Sequence, residues 1–264
     1  MSIQLVTPEE LRRFFQSHHE DEYVLVDVRR PEEYRRGHIP GARLLPVNEL
    51  VQSMDRLPAD KTLIFYCHSG GRSMAAAVMA AEEDDARPIF NLHGGMLAWD
   101  GGRLSDVPQV RLFYGQTRMQ MLQTAIGLEK GAQRFYEAVA RNQAGRPQIF
   151  TRLAGAELAH AKTIYRFWKE LEAGLEPFES LYEGQSGEIL EGGLPLQAAM
   201  QKLSESPSEP FLRWIETALQ IEYAAYDLYR TMAGQENAET PRQAFMTLAQ
   251  AEKAHMQLLI EALD

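Results

Sequence analysis

The chain has 264 residues, room for one large domain or two ordinary ones, with the hydrophobic and charged fractions of a globular protein. Its formal net charge of −10 argues against non-specific nucleic-acid binding and against an anionic membrane surface. One cysteine excludes an intrachain disulfide and fits a reducing compartment, and no apolar run approaches the roughly 18 residues of a spanning helix.

The first ten residues lack a basic region followed by an apolar core, so no signal peptide is expected and the cytoplasm is the expected location. Thr7-Pro8-Glu9-Glu10 starts a helix: Thr7 caps it, Pro8 takes the first position, and Glu10 closes a capping box. That helix is predicted to run through Leu11 to Phe15. Residues 23–28 are near-continuously apolar, as in a strand covered on both faces. A short helix starts at Pro31 and stops at Gly37, residues 38–42 turn, and 43–45 form a short strand. Residues 48–54 are predicted as a short helix and 62–66 as a buried strand. A helix over 73–80 and a strand over 88–92 follow, and Gly94-Gly95 turns the chain into Met96-Leu97-Ala98-Trp99. Strands alternating with helices imply a parallel sheet covered on both sides, with its site beyond the carboxyl ends of the strands.

The lone Cys67 occupies such a position, in Cys67-His68-Ser69-Gly70-Gly71-Arg72 between the 62–66 strand and the following helix. Free N–H groups at the helix start, the helix dipole and the Arg72 guanidinium all favour an anion there. A thiolate so placed has a lowered pKa and is a competent nucleophile. Four motifs in order carry a family likeness: Leu25-Val26-Asp27-Val28-Arg29, Gly37-His38-Ile39-Pro40-Gly41-Ala42, the Cys67–Arg72 loop with Ser73, and Leu92-His93-Gly94-Gly95-Met96-Leu97-Ala98-Trp99. Over residues 1–108 the chain thus resembles the rhodanese family. The resemblance implies a sulfurtransferase in which Cys67 takes a sulfane sulfur as a persulfide and passes it to an acceptor such as a thiol or cyanide. The spacing Cys-x4-Arg is that of the sulfur-handling loops; a phosphatase-like relative has one residue more. In this reading His68, Ser69, Gly70, Gly71, Arg72 and Ser73 bind substrate: their N–H groups surround the terminal sulfur, and Arg72 holds an anionic donor such as thiosulfate. His38 and His93 belong to turn motifs and read as structural; His18 and His19 lie in a polar loop.

Beyond a glycine- and proline-marked junction at 101–108, long helical periods replace the strands. Four apolar stripes at i, i+3, i+4, i+7 spacing each contain a glutamate: Glu129, Glu157, Glu222 and Glu252. Two of them add a histidine one turn on, His160 and His255. Unpaired buried carboxylates cost several kcal/mol, so this density requires a shared cation. One Glu from each of two helices and Glu-x-x-His from each of the others is the ligand pattern of a carboxylate-bridged dinuclear centre. Carboxylate and imidazole suit iron or manganese. The halves also repeat: Phe150-x-x-Leu153-Ala154-x-x-Glu157-x-x-His160 is echoed by Phe245-x-x-Leu248-Ala249-x-x-Glu252-x-x-His255, and Ala125-x-x-x-Glu129 through Tyr136 by Ala218-x-x-x-Glu222 through Tyr229. Glu137, Glu170 and Glu216 fall off these faces and read as solvated.

Residues 114–264 resemble the rubrerythrin branch of the ferritin-like superfamily. The resemblance implies a four-helix bundle, two iron ions at the six matching positions, and reduction of peroxide or reaction with oxygen. Two departures stand out: Ala225 occupies the place where peroxidase members carry a further Glu, and paired Cys-x-x-Cys motifs are missing. A long link from 173 to 210 joins the hairpins, with a short helix expected over 196–203 and a polar break over 204–210. Trp168, Trp214 and Tyr182 are expected in the core. The predicted whole is a rhodanese-like α/β domain over 1–108 joined to an all-α ferritin-like bundle over 109–264. It has a small sulfur donor, a thiol or cyanide acceptor, no nucleotide cofactor and a homodimeric state. A peroxide- or oxygen-reducing enzyme with the first domain as relay is one alternative; a non-catalytic persulfide or iron carrier is the other.

Overall fold

The computed structural model describes residues 3–50, 52–83, 87–141, 147–171, 173–204, 210–236 and 238–263. The chain divides into two units, Met1–Val107 and Pro108–Asp264.

The first unit runs β1 (Gln4–Val6), α1 (Pro8–Ser17), β2 (Tyr23–Asp27), α2 (Pro31–Arg36), β3 (Arg43–Leu44), α3 (Val47–Leu50), β4 (Thr62–Tyr66), α4 (Gly71–Glu83), β5 (Ile89–Leu92) and α5 (Gly95–Ala98). Its five strands are all parallel in the order β1-β5-β4-β2-β3. Successive side chains of a strand point to opposite faces, and β4 feeds two cores accordingly. Leu63 and Phe65 pack with Val26, Ala76 and Ala77, whereas Ile64 and Tyr66 pack with Leu11, Leu25 and Trp99. The central strand is therefore buried on both faces, which fixes where its carboxyl end, and Cys67, emerge.

The predicted capping box is formed: the Thr7 hydroxyl accepts from the Glu10 N–H, and Glu10 accepts from the Thr7 N–H. The edge strand β1 is not among the predicted elements; three residues alone carry too little alternation, and pairing with Phe90–Leu92 defines it. The helix predicted over 48–54 is instead α3 plus a 3-10 turn at Met54–Arg56, with residue 51 outside the described residues. A 3-10 turn brings positions i and i+3 together, and here it buries Met54 and Leu57 in one core with Leu50. Helix α4 begins at Gly71, two residues before the predicted start, so Arg72 lies in its first turn.

The second unit holds α6 (Arg118–Arg141), α7 (Pro147–Leu171), α8 (Phe178–Glu183), α9 (Leu196–Ser204), α10 (Pro210–Gln235) and α11 (Glu239–Glu261). Helices α6 and α7 pair, α10 and α11 pair, and α7 packs on α11, giving a ferritin-like four-helix bundle. Apolar layers sit above and below the acids. On α6, Leu122–Leu128 join one core and Ala132–Val139 the other; on α10, Ile215–Ile221 and Ala225–Ala233 divide likewise. Glu129 and Glu222 fall between these layers. Helix α8 in the link is a further element beyond those predicted; α9 covers the short helix expected there, and residues 205–209 of the polar break lie outside the described residues. Trp168 is buried, and Trp214 and Tyr182 pack against the cores. Among the described residues, no helix is long and apolar enough to cross a membrane.

Candidate functional sites

Cys67 leaves the buried end of β4 and is 1% exposed. The Gly70 N–H donates to its Sγ at 3.1 Å, and the Ser73 Oγ lies 3.4 Å from Sγ and 3.1 Å from the Gly70 carbonyl oxygen. The neighbouring motif braces the loop: the Met96 and Leu97 N–H groups donate to the carbonyls of Cys67 and His68 at 2.9 and 3.0 Å. Asn91 adds a bond from its Nδ2 to the Gly70 carbonyl. Burial opposes ionisation of the thiol, yet the Ser73 hydroxyl and the backbone N–H groups of Ser73, Ser69 and Gly70 prevail, and the net shift is downward. His68, Ser69 and Gly71 are exposed, Gly70 and Arg72 are half-buried, and Ser73 is buried.

Arg72 is held by a carboxylate of the neighbouring helix. Its two terminal nitrogens fork onto the Glu33 carboxylate of α2, each at 2.7 Å. That bidentate hydrogen bond, chiefly, holds the Glu33 carboxyl down at about 2. A cleft of about 780 Å³ opens beside the pair, lined by Arg29, Arg30, Glu33, Asn48, Glu49 and Arg72. Arg29 is itself committed: it pairs with buried Asp27 at 2.6 Å and donates to the Gly37 carbonyl at 2.8 Å, tying the end of β2 to the turn after α2. The His38 ring stacks on Tyr34 and is buried, in keeping with a structural part; His93 is exposed. His18 stacks on Phe14, and His19 contacts Asp21.

In the bundle, Glu129, Glu157, Glu222 and Glu252 are at most 1% exposed, and His160 and His255 are 8% exposed. The six converge. His160 Nδ1 lies 3.3, 3.1 and 3.2 Å from carboxylate oxygens of Glu129, Glu157 and Glu252. His255 Nδ1 lies 3.4, 3.1 and 3.2 Å from those of Glu157, Glu222 and Glu252. The two imidazoles face each other with centroids 4.9 Å apart. The internal repeat thus becomes a two-fold arrangement centred on Glu157 and Glu252. Two tyrosines that the repeat contained without an assigned part reach across it: the Tyr136 hydroxyl donates to Glu222, and the Tyr229 hydroxyl to Glu129.

A fifth acid, beyond the predicted residues, joins the four glutamates and two histidines. Glu191, in the link between the hairpins, is 2% exposed and lies with Glu129 and Glu157, their carboxylate oxygens within 4.8 Å of one another. Nothing in the periodicity points to it, because it sits in a 3-10 turn and not in a stripe. The one signal in the sequence is a lone acid between Leu190 and a Gly-Gly pair. Both Glu191 oxygens have no hydrogen-bond partner, and Glu129 Oε2, Glu157 Oε2 and Glu252 Oε1 crowd on the single Nδ1 of His160 without an aligned hydrogen bond. Buried polar atoms are nearly always satisfied, so a set orphaned around one point fits a bound cation. Burial, with Glu252 and Glu222 adding to it, pushes the Glu157 carboxyl well above the ordinary range. A divalent cation removes that repulsion. The donors, all carboxylate and imidazole, fit two metal ions held by Glu129, Glu157, His160, Glu222, Glu252 and His255.

Comparison with known proteins divides the chain in the same way. The family model for the rhodanese-like domain matches residues 7–101, and the rubrerythrin model matches residues 120–189. The second match contains Glu129, Glu157 and His160; Glu191, Glu222, Glu252 and His255 lie beyond its last residue. A sulfurtransferase of Allochromatium vinosum is 37% identical over 79 residues, which is 30% of this chain and 73% of that protein. An HTH-type transcriptional regulator of Mycobacterium tuberculosis is 39% identical over 87 residues, 33% of this chain but only 37% of that protein. A rhodanese-like domain protein of Staphylococcus aureus, known by crystal structure, is 28% identical with a TM-score of 0.35, covering 39% of this chain and 99% of that one.

Proposed function

The chain belongs to the rhodanese-like family through residues 7–101 and carries a rubrerythrin domain from residue 120, and on that premise we propose that it is a sulfurtransferase combined with a di-iron carboxylate redox centre. The observation that carries the first part is the Sγ of Cys67, set beneath the N–H groups of its own loop at the start of α4. The Cys67 thiolate attacks the outer sulfur of thiosulfate; an S–S bond forms on Cys67 as the bond to sulfite breaks, and sulfite leaves with the electron pair. Cyanide or a thiolate then takes the sulfur, releasing thiocyanate or a new persulfide and restoring the thiolate. The loop N–H groups support the charge on the terminal sulfur. Arg72, fixed by Glu33, shapes the rim of the loop and adds positive potential for an anionic donor. The relative named a sulfurtransferase supports this reading for the first unit.

In the bundle, Glu129, Glu157, His160, Glu222, Glu252 and His255 would hold two iron ions, with manganese as the alternative. Bound there, the metals would supply one-electron chemistry toward peroxide or oxygen. The protein's own part is to hold the carboxylates in a dry layer and orient two of them through Tyr136 and Tyr229. The proposal extends to a cytoplasmic homodimer using small sulfur donors.

Cys67→Ser should reduce thiosulfate:cyanide sulfurtransferase activity to background; full activity in that variant overturns the mechanism. Stoichiometric persulfidation without turnover would favour a carrier. Anaerobically reconstituted protein should hold about two metals per chain, lost on combining Glu157→Ala and Glu252→Ala.

A further inference from the structure

The four acids and two histidines obey the internal repeat, but Glu191 does not. It comes from the link between the hairpins, at the tip of a tight loop. The Leu196 N–H donates to the Glu188 carbonyl and the Leu190 N–H to the Leu194 carbonyl, both at 2.8 Å, and the Gly193 N–H closes back on the Leu190 carbonyl. These bonds leave Glu191 at the turn, facing into the bundle. Two glycines let the loop enter. A Cβ on Gly131 of α6 would meet the Ile189 carbonyl oxygen at 2.1 Å. A Cβ on Gly192, whose φ is +77°, would meet the Ala224 Cβ of α10 at 2.4 Å. Leu190, fully buried among Ala132, Ala218 and Ile221, anchors the tip.

A glutamate brought to 2% exposure by so closed a loop should have a partner, since an unpaired buried carboxylate is strongly unfavourable. Neither of its oxygens has one. Both are buried, and the carboxylate reaches the Glu129 and Glu157 oxygens. Three carboxylates cannot satisfy each other. Among the described residues, no acid from outside the repeat is grouped in this way with Glu222.

We propose that Glu191 is a seventh metal ligand and the fifth carboxylate among them, supplied by the crossover loop, which binds the metal at the Glu129/Glu157 side and makes the two metal positions chemically unequal. This rests on the reading of the bundle as a dinuclear metal centre and extends it. One metal gains an additional anionic oxygen ligand, so that position holds its cation more tightly and prefers the higher-charged state. The other keeps only the ligands of the repeat and is the more open to a small exogenous ligand.

The test uses the full chain, stripped of metal and titrated anaerobically with Fe(II), and separately with Mn(II). Wild type, Glu191→Gln, Glu191→Asp and the exposed loop control Glu188→Gln are compared, with circular dichroism confirming folding. Glu191→Gln is expected to weaken one of the two binding steps about tenfold or more and to leave the other unchanged. Glu191→Asp, which keeps the charge but withdraws it, should fall between, and Glu188→Gln should match wild type. Mössbauer spectra of iron-loaded protein should show two unequal ferrous components in the wild type, only one of which changes in Glu191→Gln. A folded Glu191→Gln protein with wild-type stoichiometry, both affinities unchanged and an unaltered spectrum overturns the inference while leaving the dinuclear centre standing. Wild-type protein that takes up no metal overturns the dinuclear reading itself, and the inference with it.

Discussion

The two sites of this chain solve opposite electrostatic problems. At Cys67 one negative charge is accommodated by donors already in place: loop N–H groups, the Ser73 hydroxyl and the start of α4. In the bundle, five buried carboxylates converge, with orphaned oxygens on Glu129, Glu157, Glu191 and Glu252. The first site has its donors within the folded protein; the second has buried carboxylates that bound cations would satisfy. A site built from backbone dipoles is fixed by the fold that orients it, whereas a site built from charged side chains burdens its fold until the counter-charge arrives.

The sharpest way to break this contrast is to remove metal. Calorimetry of the reconstituted chain should show a bundle transition that falls by about 10 °C on chelation, taking about 4 kcal/mol of linkage at metal about 1,000-fold above Kd and about 2–4 °C per kcal/mol. The α/β transition should not move. Equal shifts in both transitions, or none in the bundle, would remove the distinction.

The same contrast explains what could be read from the sequence. The cysteine loop is contiguous, so Cys67 through Ser73 were visible together, and four ordered motifs located the strands around them. The six repeat residues are visible because each interrupts an apolar helical stripe at a matching position. Glu191 belongs to neither kind of signal: its burial follows from how a loop threads past Gly131 and Gly192, which is tertiary information. Glu33 is hidden in the sequence for the same reason. In Pro31-Glu32-Glu33-Tyr34 it is an ordinary first-turn acid, and only the packing of α2 near α4 turns it onto Arg72, 39 positions away. Strand β1 and the break after α3 were lost because short segments are defined by their neighbours.

The Glu33–Arg72 pair offers a smaller test, since it is where side-chain charge enters the dipole-built site. Glu33→Gln replaces the carboxylate with an amide, which is expected to lower kcat/KM for thiosulfate by about tenfold, equivalent to about 1.4 kcal/mol. Stability should change by no more than about 1 kcal/mol, since both groups are partly exposed. The sign with pH follows from the depressed carboxyl. Its folded value of about 2 lies below the ordinary 4.5. The pair's contribution is therefore fully present above pH 4.5 and is lost as pH falls through about 2. Wild type should show no loss of loop integrity between pH 7 and 5. Unchanged kinetics in Glu33→Gln would mean that Arg72 needs no holding.

The smallest expected effect separates the hydroxyl from the backbone donors at Cys67. Burial works against the thiolate there; the Ser73 hydroxyl does most to favour it, and the N–H groups of Ser73, Ser69 and Gly70 add to it. In Ser73→Ala the backbone donors remain, so the thiol should titrate higher than in wild type without becoming an ordinary buried thiol. Iodoacetamide alkylation followed against pH measures this directly, because only the thiolate reacts. Wild type should show a midpoint below that of a free thiol, and Ser73→Ala a midpoint shifted upward by about half a unit to one unit, as for loss of one neutral hydrogen bond. A larger rise would make the site dependent on one side chain, bringing it nearer in kind to the bundle. No rise at all would place the whole effect on the backbone, which is the limiting case of a site made by the fold alone.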